Sequence, residues 1–466
     1  MAVHAQSPLT ISVDAKHPGA AISPDFAGLS FEMSQLRPGQ DGLRYFRPEN
    51  IRLINLFQTL GIKSLRLGGN TSDRNWRNPP DQADIDSLFA FAKAANVKVI
   101  YCLRLHDGDP AEDARTAKYI TDHFPDQIAC FSIGQEPTAY PRTTNWVDGV
   151  PKKGPRLAFA TYSNEWKTFA DTIIKTVQNI KFCGPSTEYD PTWPREFLDA
   201  FGKGNHVAMI TTHLYPGRSG DKVPSPEIGR DEMLSDHFTA VYQKLYDGFA
   251  PATLAAGLSY RLEEANNFFN GGAKDVSDTF ASALWGLDFM YWWAQHGADG
   301  LNFHTGDKVG AGSELRAAKY TAYFSTPDGF AVRPLGYGIK AFDLGRHGRF
   351  LPATISNPDN LNVSVYSVLG DDNAIYVTMI NKEHGPHART AAVSLTTGAA
   401  IAATDPRTMT LTAPDGDIAA KTGMTLGGAK IENDGSWTGT WTSLPPAKSG
   451  VLNVTVPAGS ASIVRW

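Results

Sequence analysis

The sequence predicts an α/β fold, a (β/α)8 TIM barrel with an additional C-terminal all-β sandwich domain. Short apolar runs alternate with longer amphipathic runs between residues 27 and 345, which indicates repeated strand and helix units around a parallel sheet. Eight such units are typical of a TIM barrel. After about residue 350 the pattern changes to short alternating runs between turns, so we expect the barrel over residues 20–345 and the sandwich over residues 8–19 plus 346–466.

Each predicted barrel strand is a short run that is rich in apolar residues. The eight runs are FAGLSFE (26–32), KSLRLGG (63–69), VKVIYCLRL (97–105), IACFSIG (128–134), KFCGPST (181–187), VAMITTHLY (207–215), LSYRLEE (258–264) and GLNFH (300–304). Segments between them, such as 84–95, 162–177 and 278–296, have the spacing of helices that bury one face. This order of elements is the one that a parallel barrel requires.

The C-terminal part of the chain has the alternation of half-buried strands. Runs such as LNVSVYSVL, AIYVTMIN and TAAVSL alternate apolar and polar residues between Gly, Pro, Asn and Asp turns. The segment LTISVDA (9–15) has the same pattern but precedes the barrel. We expect it to pair with the sandwich, which makes the smaller domain discontinuous.

The composition is that of an ordinary globular protein, with 42% hydrophobic and 20% charged residues among 466. The formal net charge of −5 provides no general attraction to nucleic acid or to anionic membranes, because both favour a clustered positive surface. The apolar stretch at 283–294 is too short for a membrane span and is interrupted by Asp288. We therefore predict no nucleic-acid partner and no membrane segment.

The cysteines give no sign of a disulfide framework or a metal site. Cys102, Cys130 and Cys183 each lie inside an apolar run that is predicted to be a buried strand. An odd number of cysteines without metal-ligand spacing predicts three buried thiols.

The N-terminal residues favour export. Ala-Val-His-Ala before Gln6 resembles the small-residue end of a removed signal peptide, although no apolar region precedes it. We therefore expect a secreted or periplasmic protein.

Candidate functional residues are those at the C-terminal ends of the strands, where the reacting groups of TIM barrels gather. The polar residues at these ends are Glu32, Asn70, Asp73, His106, Gln135, Glu136, Glu188, His213, Tyr215, Glu263, Glu264 and His304. No His or Cys grouping has metal-ligand spacing, so we predict no metal site. The HDGD segment (106–109) is interpreted as a turn in which Asp109 caps a helix.

Several carboxylates at one barrel mouth suit glycoside hydrolysis. One carboxyl group donates a proton to the leaving oxygen, and a second, ionised carboxylate attacks or stabilises the sugar carbon. Glu136 ends the fourth strand, and Glu263 and Glu264 end the seventh. Because side chains alternate along a strand, Glu263 and Glu264 are not expected to face the barrel axis together, and alternation alone leaves open which one does.

These motifs, in this order, resemble those of glycoside hydrolase family 79, the retaining β-glucuronidases and heparanases of the large (β/α)8 hydrolase clan. FAGLSFE resembles the first-strand motif and LRLGGNTSD (65–73) the second-strand motif. SIGQEP (132–137) resembles the acid/base motif, HLY (213–215) the sixth-strand motif, and EANNFFNGG (264–272) the nucleophile motif. The resemblance covers nearly the whole chain, and its specificity comes from the order and strand placement of the motifs.

The resemblance implies that Glu136 is the general acid/base and Glu264 the nucleophile, with their carboxyl groups about 5 Å apart as in a retaining mechanism. Counted from Glu264, Gly271 and Gly272 fall where the family's glycines present backbone N–H groups to the sugar carboxylate. Glu263 is then expected to point toward the helical shell and to pair with an Arg or Lys.

The resemblance also implies substrate contacts from other strand ends. Glu32 resembles the acidic residue that binds sugar hydroxyls, and Asn70 the polar residue beside it. His213 and Tyr215 are expected to orient the nucleophile and to contact the sugar ring. His304, at the end of the eighth strand, completes the predicted substrate-binding residues.

The chain departs from the family pattern at three positions. Gln135 stands where the clan has the asparagine that holds the sugar 2-hydroxyl group. Phe269 and Phe303 stand where the family has uronate-binding tyrosines, so the carboxylate is left to the two glycine amides and to a tyrosine within KYTAYF (319–324). These departures favour a neutral or 4-O-methylated sugar. The basic segment PKKGPR (151–156) favours an anionic substrate instead.

We predict a retaining exo-β-glucuronidase that hydrolyses terminal β-linked glucuronic acid, with or without a 4-O-methyl group, by a two-glutamate double displacement. Its partner is a glycan or glucuronide substrate, and no cofactor is expected. Two alternatives stay open. Phe269 and Phe303 motivate a related retaining β-glycosidase that acts on a neutral sugar, and Gln135 motivates a non-catalytic carbohydrate-binding barrel.

Overall fold

A computed structural model describes residues 7–73, 79–140, 144–147, 150–305, 317–397 and 405–466, with the backbone alone for 144–147 and 150–153. Parallel strands in the first part of the chain form a closed barrel, and their order around it follows the chain. After β1 (Leu9–Val13), the barrel strands are β2 (Ala27–Glu32), β3 (Ser64–Gly68), β4 (Lys98–Leu103), β5 (Ile128–Ile133), β8 (Phe182–Thr187), β9 (Val207–Leu214), β10 (Ser259–Ala265) and β11 (Gly300–His304). Seven of the eight predicted runs contain one of these strands, and β10 extends one residue past its run, to Ala265. The predicted TIM barrel is confirmed.

Helices follow the barrel strands and cover the outside of the barrel. They are α1 (Ile51–Leu60), α2 (Gln82–Ala95), α3 (Pro110–His123), α4 (Phe159–Thr176), α5 (Trp193–Phe201), α6 (Pro226–Met233), α7 (Asp236–Ala255), α8 (Phe280–Gln295) and α9 (Pro334–Gly345). Side chains at their starts satisfy N–H groups that lack partners within the helix. Asp81 and Asp84 form a capping box at α2, and Asp109 accepts a hydrogen bond of 2.9 Å from the backbone of Ala111 at α3.

The remaining strands form two hairpins and two sheets. The hairpins are β6 (Thr144–Val147) with β7 (Val150–Lys153), and β12 (Tyr323–Thr326) with β13 (Gly329–Val332). The strands of the C-terminal part are β14 (Gly348–Phe350), β15 (Ala353–Ser356), β16 (Val363–Gly370), β17 (Ile375–Asn381), β18 (Ala391–Thr396), β19 (Arg407–Thr412), β20 (Thr425–Leu426), β21 (Thr442–Ser443), β22 (Leu452–Val456) and β23 (Ser460–Arg465).

One C-terminal sheet has the order β15-β1-β18-β22, and the other has the order β14-β16-β17-β23-β19-β20 with β21 beside β19. Strand β1 therefore lies between β15 and β18, far from its neighbours in sequence. Leu9, Ile11 and Val13 alternate with exposed residues, and they pack with Val377 and Met379 of the second sheet in a shared apolar core. Because strands such as β1 have one apolar and one solvent-exposed face, the two sheets pack face to face as a sandwich. The strands of a parallel barrel, by contrast, are buried on both faces.

Helix α8 joins the sandwich to the barrel. It is apolar on nearly every side because it is buried between the two. The ring of Tyr291 stacks on Tyr366 of β16 with centroids 4.8 Å apart, and its hydroxyl lies 3.0 Å from the Thr378 hydroxyl of β17. In the described part of the chain, no helix is both long and apolar enough to cross a bilayer.

The cysteines depart from the prediction of three buried thiols. All three are buried, but Cys130 of β5 and Cys183 of β8 form a disulfide, with Cα atoms 6.0 Å apart. Only Cys102 is free among the described residues. The two partners are 53 residues apart in sequence, and the pairing of β5 with β8 in the barrel brings them together.

Candidate active site

A cleft of about 770 Å³ opens where the barrel strands end, and its size lies in the range of small-molecule sites. The predicted residues that line it are Glu32, Asn70, Gln135, Glu136, Tyr215, Glu264, Phe269, Gly271 and His304. The lining also includes Arg156, Glu188, Tyr189, Pro216, Gly217, Val241, Asn270 and Tyr320. Residues from distant parts of the chain thus converge on one concave site at the end of the barrel where TIM-barrel sites lie.

Two glutamates face each other across this cleft. Glu136 follows β5 in a left-handed backbone conformation (φ 46°), and its N–H donates to the carbonyl of Ser186 at 2.9 Å. Glu264 stands on β10. A carboxylate oxygen of Glu136 lies within 4.8 Å of one of Glu264. This separation allows one carboxyl group to reach the anomeric carbon of a sugar while the other reaches the glycosidic oxygen.

Glu264 is held by three hydrogen-bond donors. Arg66 of β3 forms a buried ion pair with its Oε2 at 2.6 Å, and the side-chain amide of Gln135 donates to the same oxygen at 3.3 Å. The hydroxyl of Tyr215 donates to Oε1 at 2.9 Å. The carboxylate is thereby fixed in orientation with both oxygens bound.

The surroundings of Glu264 favour its ionised form. Burial by itself raises the pKa of this carboxyl group. The positive charges of His304, His213 and Arg66 outweigh burial and hold the pKa of Glu264 well below its usual range. An ionised carboxylate at this point suits nucleophilic attack.

Both glutamates at the end of β10 reach the barrel interior, which corrects the expectation that Glu263 points toward the helical shell. Leu262 and Glu264, on either side of Glu263, pair with the consecutive residues Thr212 and His213 of β9. A bulge at Glu263 therefore breaks the strict alternation on which that expectation rested. Glu263 is fully buried beneath the cleft, whereas Glu264 lines it.

His213 lies between the two sides of the site. Its Nδ1 is 3.0 Å from Oε1 of Glu136, and its Nε2 is 3.6 Å from Oε1 of Glu263. The same oxygen of Glu263 accepts a hydrogen bond of 3.0 Å from the Thr211 hydroxyl. Burial lowers the pKa of His213, but the negative charges of Glu264, Glu136 and Glu263 raise it to about 9.

The cluster of Glu136, His213 and Glu264 also has the spacing of a cation site, since one ligand atom from each lies within 4.8 Å of the others. The negative charges around His213, however, favour its protonated form. A protonated imidazole has no free lone pair for a metal. The chemistry of this cluster is therefore better suited to holding and moving protons.

Asp73, a strand-end residue of the second-strand motif, ties three loops together. Its Oδ1 accepts the backbone N–H groups of Leu105 and His106 at 3.0 and 2.6 Å. Its Oδ2 accepts the backbone N–H of Gln135 at 3.0 Å and the hydroxyl of Tyr140. The position of Gln135, and with it that of the next residue, thus depends on a buried carboxylate.

Glu32 and His304 lie on the opposite wall. Glu32 accepts hydrogen bonds from the backbone of Asn70 and Thr71 at 3.2 and 2.8 Å, and from the Thr71 hydroxyl at 2.6 Å. His304 lies between the carboxylates, with Nε2 3.9 Å from Glu32 and Nδ1 3.8 Å from Glu264. This wall offers both acceptors and donors, as binding of sugar hydroxyl groups requires.

The residues of the loop after β10 differ in exposure and in backbone conformation. Phe269 is 42% exposed on the cleft wall. Gly271 and Gly272 both have positive φ values, of 85° and 83°, and a Cβ on Gly272 would lie 2.9 Å from Ser277 and from the backbone nitrogen of Tyr320. Glycine is thus required at Gly272 both by conformation and by space.

Phe303 is not brought to the cleft, and its assignment as a substrate-binding residue is corrected. It is 1% exposed, and its ring packs against Trp285 and Phe289 of α8. The neighbouring His304 faces the cleft because side chains alternate along β11. The aromatic group that does line the cleft from this region is Tyr320, whose ring lies 6.0 Å from that of Tyr215.

Sequence reasoning did not select Arg66 or Tyr320 as individual site residues. Arg66 stands between Leu65 and Leu67 in a strand run, and a fully buried arginine needs a buried carboxylate partner. The need of a buried arginine for a carboxylate partner could therefore have identified Arg66 from the sequence. Tyr320 follows β11 by many residues, and only the folded chain brings it to the cleft. Of the basic segment 151–156, Arg156 lines the cleft, while the side chains of 151–153 lie outside the described part.

A closed parallel barrel with an attached β-sandwich, with two carboxylates at its mouth and a buried histidine beside them, has the architecture and site of a glycoside hydrolase. Comparisons with known proteins agree with this class. Residues 151–290 match the family model described as Glycosyl hydrolase family 79, N-terminal domain. A curated β-glucuronidase from Aspergillus niger is 23% identical over 199 residues, which cover 39% of this chain and 35% of that protein. The chain therefore spans about a third of the length of the curated relative that it matches.

Solved structures share the fold over nearly the whole chain. A 4-O-α-L-rhamnosyl-β-D-glucuronidase from Fusarium oxysporum matches with a TM-score of 0.76 and 18% identity, covering 98% of this chain and 100% of that one. A family 51 arabinofuranosidase from Xanthomonas axonopodis matches with a TM-score of 0.70 and 14% identity, covering 98% and 99%. Together these findings confirm the resemblance to glycoside hydrolase family 79 and support the glycoside hydrolase class.

Proposed function

We propose that the protein is a retaining exo-β-glucuronidase that removes terminal β-linked glucuronic acid, with or without a 4-O-methyl group, from glycans or glycoconjugates. One observation carries this proposal: a carboxylate oxygen of Glu136 lies within 4.8 Å of one of Glu264. Retaining enzymes have carboxyl groups about 5 Å apart, whereas inverting enzymes leave more room between them for a water. The curated relative from Aspergillus niger, named a β-glucuronidase, supports the choice of sugar.

The proposed reaction has two steps. In the first, an oxygen of Glu264 bonds to the anomeric carbon, the glycosidic C–O bond breaks, and Glu136 gives its proton to the leaving oxygen. In the second, water attacks the anomeric carbon, Glu136 accepts a proton from this water, and the bond to Glu264 breaks. The two displacements leave the product in the β configuration.

The proposed site for the sugar carboxylate is the loop that contains Gly271 and Gly272. Within the described residues no group accepts a hydrogen bond from either N–H, and Gly271 lines the cleft, so its donor is open to a ligand. The hydroxyl of Tyr320 is a third donor nearby, and Arg156 is the one arginine or lysine among the described residues that line the cleft. These groups together provide the donors and the positive charge that a uronate needs.

The substrate assay compares aryl β-glucuronide with aryl β-glucoside, β-xyloside and β-galactoside. We expect a clear preference for the glucuronide, and NMR of the first product is expected to show the β-anomer before mutarotation. Glu264→Ala should abolish turnover and be partly rescued by azide, while Glu227→Gln, an exposed carboxylate on α6, serves as the control. A preference for any neutral sugar, or an α-anomer as the first product, argues against the proposal.

The second candidate is a β-glycosidase that acts on a neutral sugar. The exposed ring of Phe269 on the cleft wall favours it, since a phenyl ring offers no donor to a carboxylate. The same set of aryl glycosides separates the two functions. A binding-only barrel is separated by covalent labelling: a glucuronic-acid-configured cyclophellitol inhibitor should label Glu264 in an enzyme and leave a binding protein unlabelled.

We also propose that the protein works outside the cytoplasm. The Cys130–Cys183 disulfide supports this location, because disulfides persist mainly in oxidising compartments. Fractionation of the native host, with activity assayed in medium and periplasm, tests it. Recovery of the enzyme in the cytoplasm would count against export.

A further inference from the structure

We propose that Glu263, which the two-glutamate reaction does not use, is a positioning residue that keeps a proton on Nε2 of His213, so that Nδ1 of the same ring shares one proton with Glu136. This inference rests on the proposed function and deepens it. It assigns a role to a buried charge directly beside the nucleophile Glu264.

The first support is the position of Glu263. The bulge in β10 turns this side chain into the barrel, where it is fully buried and its Oε1 lies 3.6 Å from Nε2 of His213. The Thr211 hydroxyl donates to that oxygen at 3.0 Å and fixes it. The other oxygen has no hydrogen bond of normal geometry within the described residues, and the Ser186 hydroxyl makes a weaker interaction with the carboxyl group. A carboxylate this poorly satisfied is costly to bury, which argues for a role beyond packing.

The second support is the set of charges around His213. On the Nδ1 side lie Glu136, which follows β5, at 3.0 Å and Glu264 of β10 at 3.9 Å. On the Nε2 side lie Glu263 of β10 at 3.6 Å and Arg66 of β3, whose Nη2 is 3.5 Å away. These are the charged groups that face the ring from the strands packed against it.

Arg66 and Glu263 place opposite demands on Nε2. A guanidinium only donates, so Arg66 alone favours a lone pair on Nε2 and the proton on Nδ1. A carboxylate only accepts, so Glu263 favours the proton on Nε2. With Glu263 ionised, as the lowered pKa of this group indicates, Nε2 keeps its proton and Nδ1 is left to exchange one with Glu136.

The proton count is balanced through both chemical steps. Before reaction the pair holds one shared proton, either on Nδ1 of His213 with Glu136 ionised, or on Glu136 with Nδ1 free. In the first step this proton passes through Glu136 to the leaving oxygen. In the second step the attacking water returns a proton to Glu136, and the pair is restored without any other donor.

The direct test is histidine NMR on the full chain without substrate, which does not depend on turnover. In the unmodified protein, ¹⁵N shifts should report a proton on Nε2 of His213 across the titration. In Glu263→Gln, the titration midpoint of His213 should move to lower pH by about 1 to 3 pH units, the range that one close charge produces. An unchanged His213 titration overturns the proposal.

The kinetic test follows kcat/KM against pH on an aryl β-glucuronide. The alkaline limb should move to lower pH in Glu263→Gln by the same amount as the NMR titration. Glu227→Gln on the exposed face of α6 is the control and should leave the limb in place. An unmoved alkaline limb in Glu263→Gln also overturns the proposal.

Two further results distinguish a failure of this role of Glu263 from a failure of the proposed function and from a failure of the variant to fold. If no glucuronide is turned over but the His213 titration still moves, the proposed function fails and the role of Glu263 toward His213 stands. If Glu263→Gln does not fold, Glu263→Asp keeps the charge one methylene further away, and it should give a smaller shift in the same direction. No shift in Glu263→Asp then counts against the role.

Discussion

The carboxylate of Asp73 accepts a hydrogen bond of 3.0 Å from the backbone N–H of Gln135, so a residue after β3 positions the residue that precedes Glu136. In Asp73→Asn, one accepting oxygen becomes an amide nitrogen. This nitrogen is a donor, and it would face N–H or O–H groups that donate to Asp73 in the unmodified protein. We expect kcat on the glucuronide to fall by about 100-fold, the effect of a small misplacement of a catalytic group. Steady-state kinetics at saturating substrate measures it.

The same variant should lose stability. A buried group left facing unsatisfied donors costs about 1 to 3 kcal/mol in the free energy of unfolding, which urea denaturation can resolve. Tyr140→Phe removes a single donor to Asp73 and serves as the milder comparison. Equal kcat values in Asp73→Asn and Tyr140→Phe would show that the backbone of Gln135 does not depend on this carboxylate.

Tyr215→Phe should weaken the proposed nucleophile, Glu264, without removing it. The Tyr215 hydroxyl donates to Glu264 at 2.9 Å and helps to lower the pKa of that carboxyl group. Its loss raises this pKa, so the acid limb of kcat/KM should move to higher pH and kcat should fall by about 10-fold or more. Tyr189→Phe, a change elsewhere on the cleft wall, should leave the acid limb in place.

The pKa of His213 predicts how stability depends on pH. Because this pKa is raised from 6.5 to about 9 in the folded protein, the ring contributes stability that is fully present below pH 6.5 and is lost as the pH rises through about 9. The loss should approach roughly 3 kcal/mol, since each tenfold difference in proton affinity between the folded and unfolded states corresponds to about 1.4 kcal/mol. Urea unfolding at a series of pH values measures it, and His213→Gln should flatten the curve in that window. A parallel decline in both proteins would assign the effect to other groups.

Two phenylalanine-to-tyrosine changes separate a cleft position from a core position. Phe269→Tyr adds a donor on the cleft wall and should raise kcat/KM for the glucuronide over the glucoside by about 10-fold, the worth of one hydrogen bond to a charged group. Phe303→Tyr places a hydroxyl among Trp285 and Phe289 and should instead cost about 1 to 3 kcal/mol of stability. A gain in glucuronide preference from Phe303→Tyr would contradict the buried position.

The barrel strands and the carboxylates at their ends could be predicted because both follow from simple periodic patterns. Apolar runs define the strands, and the ends of parallel strands meet at one edge. Glu136 and Glu264 line the cleft for that reason. The choice of Glu264 over Glu263 needed the spacing of the glycines, because alternation alone did not decide it.

Features that depend on a single irregularity or a distant partner could not be predicted. The bulge at Glu263 changes where one side chain points and leaves no mark in the pattern of apolar residues. The Cys130–Cys183 disulfide depends on which strands are neighbours in the barrel. Phe303 was predicted to face the site. Because side chains alternate along β11, Phe303 lies in the core and its neighbour His304 faces the cleft.

Helix α8 ties the stability of the site to the sandwich. Because Tyr291 stacks on Tyr366 and the apolar surface of α8 continues into the C-terminal sheets, the two parts of the molecule share one core. They should therefore melt together in one calorimetric transition, since neither can keep its shape after the other unfolds. The barrel should therefore not fold without the sandwich. A chain cut after α9 would expose the outer side of α8 to water and aggregate before its cleft could form.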